Sequence, residues 1–361
     1  MVEPSLQVPM AVSTKSGLLN GTALDQRKRM ASLIELFLEF YRSKGYFEHE
    51  PVKISSRIDS TIHFIGSHIS VYKKYLISRK IPNVGYCMAQ KCVRNQNLNN
   101  YFKANHTFKY SSYFYSLGVI TLPTRLDLVC SEFFEFLKTK LDISPENIKL
   151  RISSEDEKLV QACIKAGMQS CIELDTRPKI YYTHKLGMID YIGHSFNFAI
   201  WDKKLEDFSD VGNIILIKHK TEDIAVEVAF GAGIMLKTIF GLGHVIDCFE
   251  MQGLENQEAV LRRKFEDAII TTVALYDDGL RPKNSPTKNR ILSTYVKSLS
   301  YFRKKTNISI TDLENILREF TKKEFPCANK NLSKEIIYYL TEFEKKTSLS
   351  LEFYKKIESI S

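Results

Sequence analysis

The spacing of apolar positions predicts one helix and then a series of short strands in the N-terminal part of the chain. From Asp25 to Lys44, apolar side chains recur every three or four residues, and Gly45 ends the pattern. Residues 52–125 carry aromatic side chains in short runs between polar loops, which is typical of strands. One of these loops is the asparagine-rich segment 95–100.

Two further helices are predicted in the middle of the chain. Apolar side chains with helical spacing follow Pro123, a residue that suits a helix start. Ser154 and Glu157 have the spacing of a capping box, and Gly167 is placed to end the helix that follows.

A hairpin and a glycine-flanked turn come next. The runs 213–218 and 224–230 are predicted strands, and the polar residues 219–223 between them suit a hairpin connection. Gly231 and Gly233 then lead into a short apolar helix.

After Gly253 the pattern becomes helical throughout. Helical spacing is found over 260–276, 290–304, 311–322 and 333–358. The sequence therefore predicts an α+β part followed by an all-helical part.

Three segments follow from these patterns. Residues 1–28 are predicted to be a disordered tail, residues 29–248 an α+β domain and residues 249–361 a helical domain. A length of 361 residues agrees with two domains.

Composition excludes two classes of protein. No stretch reaches the roughly 18 to 20 apolar residues that a membrane span needs, so a transmembrane protein is not expected. The 22 Phe and 18 Tyr residues provide enough apolar surface to exclude global disorder.

The seven cysteines form no CxxC motif, so no zinc site is predicted and buried thiols in a reducing compartment are expected. The first 24 residues lack a secretory signal core, which favours a cytoplasmic location over an organelle-targeting segment.

Positive charge is concentrated in one part of the predicted helical domain. The net charge is +9, and the stretch 281–305 holds eight basic residues without an acidic one. They are Arg281, Lys283, Lys288, Arg290, Lys297, Arg303, Lys304 and Lys305. Such a stretch suits a nucleic-acid backbone, but charge alone equally fits a solvated helix face.

Several short motifs, in order along residues 30 to 300, resemble those of alanyl-tRNA synthetases, which are class II aminoacyl-tRNA synthetases. They are FLEFYRSKGY at 37–46, SS at 55–56 with DSTIHF at 59–64, QKCVR at 90–94, NHTF at 105–108 and YDDGLRPKN at 276–284. The resemblance implies a truncated relative with a class II synthetase-like antiparallel sheet flanked by helices. An all-helical tRNA-recognition domain would follow this sheet.

The resemblance also implies an activation site. Joining an amino acid to the α-phosphate of ATP brings two anions together, so the site needs fixed cations, usually arginine with Mg²⁺. Arg94 matches the family's motif 2 arginine, which would hold the α-phosphate and the carboxylate. Phe108 would stack on adenine, with His106 nearby, and Gly231 and Gly233 match the motif 3 glycines. From the residues alone, a core position fits Phe108 equally well, and a hydrogen-bonded strand position fits His106 equally well.

Other parts of the implied site are missing. Ala229 stands where the family has the aspartate that binds the alanine ammonium group, and Leu236 stands where it has an ATP-clamping arginine. Met235 replaces the neighbouring glutamate, and residues 193–198 lack the prolines, cysteines and glutamate of the corresponding family segment. Lys237 is a partial substitute for the arginine at best, because its ammonium is a point charge on a flexible stem.

The helical part carries the predicted tRNA contacts. By resemblance and charge, these are Asp278, Arg281, Lys283, Asn284, Lys288 and Arg290.

The sequence leaves three functions open. The first is a ligase that uses ATP and Mg²⁺ to adenylate an amino acid and passes it to tRNA or another acceptor. The second is a pseudo-enzyme that binds tRNA, and the third is a transferase that uses aminoacyl-tRNA.

Overall fold

The computed structural model describes residues 26–104, 106–282, 286–346 and 352–355. The predicted tail, 1–28, lies outside these residues except for its last three positions, which belong to the first helix.

The described chain forms one large sheet and a set of helices. The helices are α1 (Gln26–Ser43), α2 (Ile69–Ser78), α3 (Leu126–Thr139), α4 (Glu157–Lys165), α5 (Ala232–Phe240), α6 (Ala259–Asp277), α7 (Pro286–Lys305), α8 (Ile310–Glu324) and α9 (Leu332–Lys345). The strands are β1 (Phe47–Glu48), β2 (Tyr86–Val93), β3 (Tyr113–Thr121), β4 (Ile148–Ser153), β5 (Ile172–Asp175), β6 (Thr183–Lys185), β7 (Tyr191–Asp202), β8 (Asp207–His219) and β9 (Glu222–Gly231).

The sheet is mixed. Within the described chain it has nine strands in the order β1-β2-β3-β9-β8-β7-β4-β5, and β6 pairs with β7 outside this path. Its centre, from β2 to β4, is antiparallel, but both edges are parallel, β1 with β2 and β4 with β5. The predicted α+β fold with an antiparallel sheet flanked by helices is confirmed, and the structure adds a parallel pair at each edge of the sheet.

Alternate residues of each central strand face two different environments. Phe37 of α1 and Phe136 of α3 pack on one face, where they contact Phe230 of β9 edge-on or at a tilt. Val71 and Leu76 of α2 belong to a smaller apolar cluster on the other face. Because α2 covers only part of this second face, the remainder borders the cavity described below.

Three local predictions need correction. Residues 69–78 were expected among strands and loops but form α2. The N-cap of α4 is Asp156, whose side chain accepts from the Leu159 amide, rather than Ser154. The last helix, predicted as 333–358, ends at Lys345, where α9 stops, and 352–355 form a separate helical turn.

The helical part packs directly on the sheet part. A single apolar cluster runs from α1 and α3 through the sheet to α6, α7, α8 and α9. At this contact Asp267 of α6 is fully buried and accepts hydrogen bonds from the Ser112 amide and from the Tyr101 hydroxyl. The middle of α6 is therefore held against the connection between β2 and β3.

Two global features complete the description. Among the helices that the structure describes, none is long and apolar enough to cross a membrane. All seven cysteines are free thiols, six of them buried and Cys327 exposed.

Candidate functional site

A cavity of about 590 Å³ with both polar and apolar walls lies on the sheet face that α2 leaves uncovered. Its walls come from the residues after β2, the segment 109–111, β3, β7, β8, β9 and the first turn of α5. A cavity of this size is within the range that binds small molecules and cofactors.

One side of the cavity is cationic and aromatic. Arg94 follows β2 directly, and its Nε donates to the Gly66 carbonyl at 2.9 Å. The guanidinium carbon lies 5.2 Å from the centroid of the Phe114 ring, a cation–π geometry. Lys109 lines the same cavity. This side suits an anion beside a flat ring.

The junction between β9 and α5 forms another part of the wall. Ala229, Gly231 and Gly233 all line the cavity. Gly231 is the N-cap of α5 and offers no side chain to its first turn, whose amides have no partner within the helix. Unpaired amides at a helix N-terminus favour an anion. The glycines predicted from motif 3 are thus at the cavity, together with the alanine that replaces the family's aspartate.

The next residues along α5 lie elsewhere. Met235 and Leu236 are buried in the apolar core. Lys237 pairs with the buried carboxylate of Asp202 at 2.5 Å and does not line the cavity. Lys237 therefore does not take the place of the missing arginine.

The opposite wall is a chain of polar side chains on β7 and β8. Asn213 donates to Asn197, and Asn197 donates to Asp210 at 2.9 Å. Asp210 also pairs with Arg151 of β4 at 2.6 Å. The carboxylate that lines this wall is already neutralised by a guanidinium, so it does not replace the acidic group missing at Ala229.

Two predicted site residues lie away from the cavity lining. Phe108 is a buried core residue whose ring packs 5.3 Å from that of Tyr101, and His106 is exposed. The returning strand of the β2–β3 hairpin starts at Tyr113, so residues 106–108 precede it. The aromatic residues that line the cavity are Tyr110, Phe114 and Phe230, and Phe114 is the one beside Arg94.

A buried polar group forms the floor beside Phe114. Ser116 lines the cavity, and its hydroxyl is 2.8 Å from Nδ1 of His68. Nε2 of the same ring is 2.8 Å from the carboxylate of Glu227. A similar pair, His184 and Ser195, lies further along the same face at 2.8 Å but outside the cavity lining.

The predicted tRNA contacts are mostly used inside the protein. Asp278 accepts from the amides of Ile54 and Ser55, at 2.6 and 2.8 Å. Lys288 donates to the Ser55 carbonyl, and burial lowers the pKa of its ammonium. These side chains hold the 54–55 loop to the helical part.

Arg281 has a similar intramolecular role. It pairs with Glu335 of α9 and donates to the carbonyls of Tyr276 and Leu280. Arg290 is exposed, and Lys283 and Asn284 lie outside the described residues. Of the predicted contacts that the structure describes, Arg290 is the one at an exposed position.

Two of the remaining basic residues of 281–305, Lys297 and Arg303, pack on α9, whereas Lys304 and Lys305 are exposed. Arg303 pairs with Glu344 of α9. The ammonium of Lys297 lies 5.2 Å from the Phe343 ring, and burial lowers its pKa. Much of the charge that suggested a nucleic-acid surface thus stabilises contacts between helices.

Sequence reasoning missed Phe114, Ser116, Asn213 and Asp210 at the cavity. The alternation of side chains along a strand predicts that Phe114 and Ser116 share a face, because they are two residues apart on β3. That face could not be identified as a cavity wall, since the neighbouring strands were not yet placed.

The comparisons with known proteins bear out the resemblance over part of the chain. No family model matches it. The alanine–tRNA ligases of Bacillus pumilus and Geobacillus thermodenitrificans are each 26% identical to it over 132 residues, which is 36% of this chain and 15% of the ligase. The predicted similarity to alanyl-tRNA synthetases is therefore confirmed, over a shorter span than residues 30 to 300. Because the match covers so little of each ligase, the activity of the complete ligases is a proposal for this chain.

Solved synthetase structures also align with this chain, at low scores. The asparaginyl-tRNA synthetase of Entamoeba histolytica in complex with asparaginyl-adenylate has a TM-score of 0.38 and 12% identity, covering 62% of this chain and 65% of its own. The RNA binding domain of threonyl-tRNA synthetase from Cryptosporidium parvum has a TM-score of 0.40 and 11% identity, covering 59% and 64%. Scores below 0.5 do not establish a common fold.

Proposed function

We propose that this protein is an aminoacyl-tRNA synthetase-like protein whose cavity binds an aminoacyl group attached to adenosine. The observation that carries the proposal is the Arg94 guanidinium over the Phe114 ring, beside the glycine-capped start of α5. A guanidinium binds phosphate or carboxylate through two parallel hydrogen bonds, and a flat ring suits a base. The ligand is either an adenylate made from ATP or the 3′ end of an aminoacyl-tRNA.

Activation of an amino acid by ATP has limited support in the cavity walls. Leu236 lies in the core, and Ala229 offers the cavity only a methyl group. The loss of one charge-assisted contact to a transition state typically costs about 3 kcal/mol. The described cavity residues also suit Mg²⁺ poorly, since Asp210 is already paired with Arg151. A ligand that arrives already aminoacylated needs neither group.

Binding is tested with alanyl-sulfamoyl-adenosine, a stable analogue of alanyl-adenylate, by titration calorimetry. We expect saturable binding to the wild type and at least about tenfold weaker binding to Arg94→Lys, which retains the charge but loses the fork. Arg318→Gln is the control, because Arg318 is an exposed arginine on α8 that pairs with its neighbour Glu319. Equal affinity of the wild type and Arg94→Lys would refute the assignment of Arg94.

The two sources of the ligand are separated by ATP–pyrophosphate exchange with each of the twenty amino acids. Exchange with any amino acid identifies an ATP-dependent ligase. Binding of the analogue without exchange favours a protein that receives its aminoacyl group from tRNA.

A tRNA partner remains part of this proposal. The net charge of +9 and the exposed Arg290 support it. Each neutralised phosphate releases a counterion, so tRNA affinity should fall steeply with salt. Arg290→Gln should weaken binding and reduce the salt dependence, whereas unchanged affinity would remove Arg290 from the proposed contact.

A further inference from the structure

Three side chains from separate parts of the chain meet at and behind the floor of the cavity, and Ser116 is the one of them that lines it. They are Ser116 of β3, His68 just before α2, and Glu227 of β9. The Ser116 hydroxyl is 2.8 Å from Nδ1 of His68, and Nε2 of His68 is 2.8 Å from the Glu227 carboxylate. A buried serine, histidine and acid in this order form the arrangement that activates a hydroxyl nucleophile.

The backbone around these side chains fixes the histidine. The His68 ring lies directly on Gly118, where an added Cβ would be 1.9 Å from the ring. His68 is completely buried and also contacts the Tyr72 ring edge-on. The ring therefore has one position, from which it reaches Ser116 on one side and Glu227 on the other.

The partners of the ring define its tautomer. A carboxylate only accepts hydrogen bonds, so Nε2, which faces Glu227, carries the proton. Nδ1 is then the acceptor for the Ser116 hydroxyl. The Glu227 oxygen is displaced from the direction of the Nε2–H bond. Its action on the ring is therefore mainly electrostatic.

A second serine–histidine pair on the same sheet face provides a contrast. Ser195 is 2.8 Å from His184, but its hydroxyl also donates to the Tyr182 carbonyl and it does not line the cavity. Ser116 lines the cavity between Phe114 and the glycine at position 231. A molecule in the cavity can therefore reach Ser116 and not Ser195.

We propose that Ser116 is a nucleophile that accepts the acyl group from an aminoacyl ester bound in the cavity. The choice of ester rests on the proposed function, which places an aminoacylated adenosine there. Ser116 Oγ attacks the ester carbonyl as its proton moves to Nδ1 of His68. The bond to the ribose oxygen then breaks, and the proton on His68 passes to that oxygen.

The second half of the reaction releases the acyl group. An acceptor with an O–H or N–H bond, water or an amine, attacks the Ser116 ester while His68 takes its proton. The ester bond breaks, and the proton returns to Ser116 Oγ. The products are the acylated acceptor and the original protein, so the sequence of steps needs no ATP, oxidant or reductant.

The nucleophile is tested directly with an ethyl fluorophosphonate on the full chain, read by intact mass and peptide mapping. We expect a single adduct on Ser116 in the wild type and none in Ser116→Ala. Ser195→Ala is the matched control and should be labelled like the wild type. A folded wild-type protein that carries no adduct on Ser116 would overturn the proposal.

Glu227 acts through His68 and is a positioning residue. In Glu227→Gln the maximal labelling rate should fall at least about tenfold, with the half-saturating probe concentration unchanged. Glu227→Asp should recover part of this rate. A purely structural role predicts instead that both variants lose thermal stability and probe binding together.

The ester reaction itself is followed with 3′-O-alanyl-adenosine. The wild type should release adenosine with burst kinetics, and Ser116→Ala should not exceed the uncatalysed rate. If Ser116 stays unlabelled while alanyl-sulfamoyl-adenosine still binds, the nucleophile is refuted and the proposed function stands. If Ser116 is labelled but the analogue does not bind, the nucleophile stands and the aminoacyl-adenosine ligand is refuted.

Discussion

Replacing Asp267 by asparagine should weaken the contact between the helical part and the sheet part. The carboxylate is fully buried on α6 and accepts four hydrogen bonds. Their donors are the Ser112 amide at 2.6 Å, the Ser112 hydroxyl at 2.6 Å, the Tyr101 hydroxyl at 2.7 Å and the Asn97 amide at 3.2 Å. All four donors belong to the connection between β2 and β3.

The expected magnitude follows from what an asparagine can offer these donors. If the side-chain oxygen of the new asparagine faces the Ser112 backbone amide, its side-chain nitrogen faces the side-chain amide of Asn97, and two donors meet. If the asparagine side chain is flipped, its nitrogen faces the Ser112 backbone amide, and again two donors meet. One buried donor is unpaired in either case, at about 1 to 3 kcal/mol, and hydrogen bonds to a charged acceptor are lost. Burial raises the pKa of Asp267, which offsets part of the loss, so we expect about 2 to 4 kcal/mol in total.

Urea unfolding followed by circular dichroism measures this loss, and a double-mutant cycle with Tyr101→Phe isolates one bond. We expect a coupling energy of at least about 1 kcal/mol between the two positions. Glu319→Gln is the control, because Glu319 is an exposed acid on α8 whose removal should change stability by less than about 0.5 kcal/mol. Asp267→Asn as stable as this control would refute the reasoning.

Three more stability measurements follow from single residues. Burial raises the pKa of Glu266 from 4.5 to about 7, so the stability of the protein should fall as pH rises between these values. Glu266→Gln should remove that fall and be up to about 3 kcal/mol more stable than the wild type at pH 8. If the melting temperature of Glu266→Gln still fell between pH 5 and 8, Glu266 would not be the cause of the pH dependence. Asp278→Ala should lose about 1 to 3 kcal/mol in urea unfolding, since it leaves two loop amides unpaired, whereas a pure RNA contact would leave stability unchanged. Gly118→Ala should unfold or lose at least about 3 kcal/mol because its Cβ would overlap His68, while Gly233→Ala, whose Cβ has room, should melt like the wild type.

The site shows how far motifs alone can reach. Arg94, Gly231 and Gly233 were predicted from the resemblance, and the structure places all three at the cavity. Phe108 was predicted there too, but it lies in the core, and the ring beside Arg94 at the cavity is that of Phe114. A short motif such as NHTF gives a residue type and an approximate position, whereas the start of the returning strand decides which ring faces the cavity.

The basic residues of the helical part show that a count of charges does not predict which charges are exposed. A count of basic residues over 281–305 predicts a charged surface, but Arg281, Lys288 and Arg303 are each used by carbonyls or carboxylates of the same chain. Whether a charge is exposed depends on the helices packed beside it, and the sequence pattern contains no information about that packing.

The sequence by itself determined the features that depend on near neighbours. The β8–β9 hairpin, the helix after Gly231 and the four C-terminal helices follow from apolar periods and glycine positions, which act over a few residues. Only the tertiary structure decided the parallel sheet edges and the meeting of His68, Ser116 and Glu227, because these depend on which strand lies beside which. Residues that are distant along the chain meet through strand pairing, and a local pattern of polar and apolar positions does not specify those pairs.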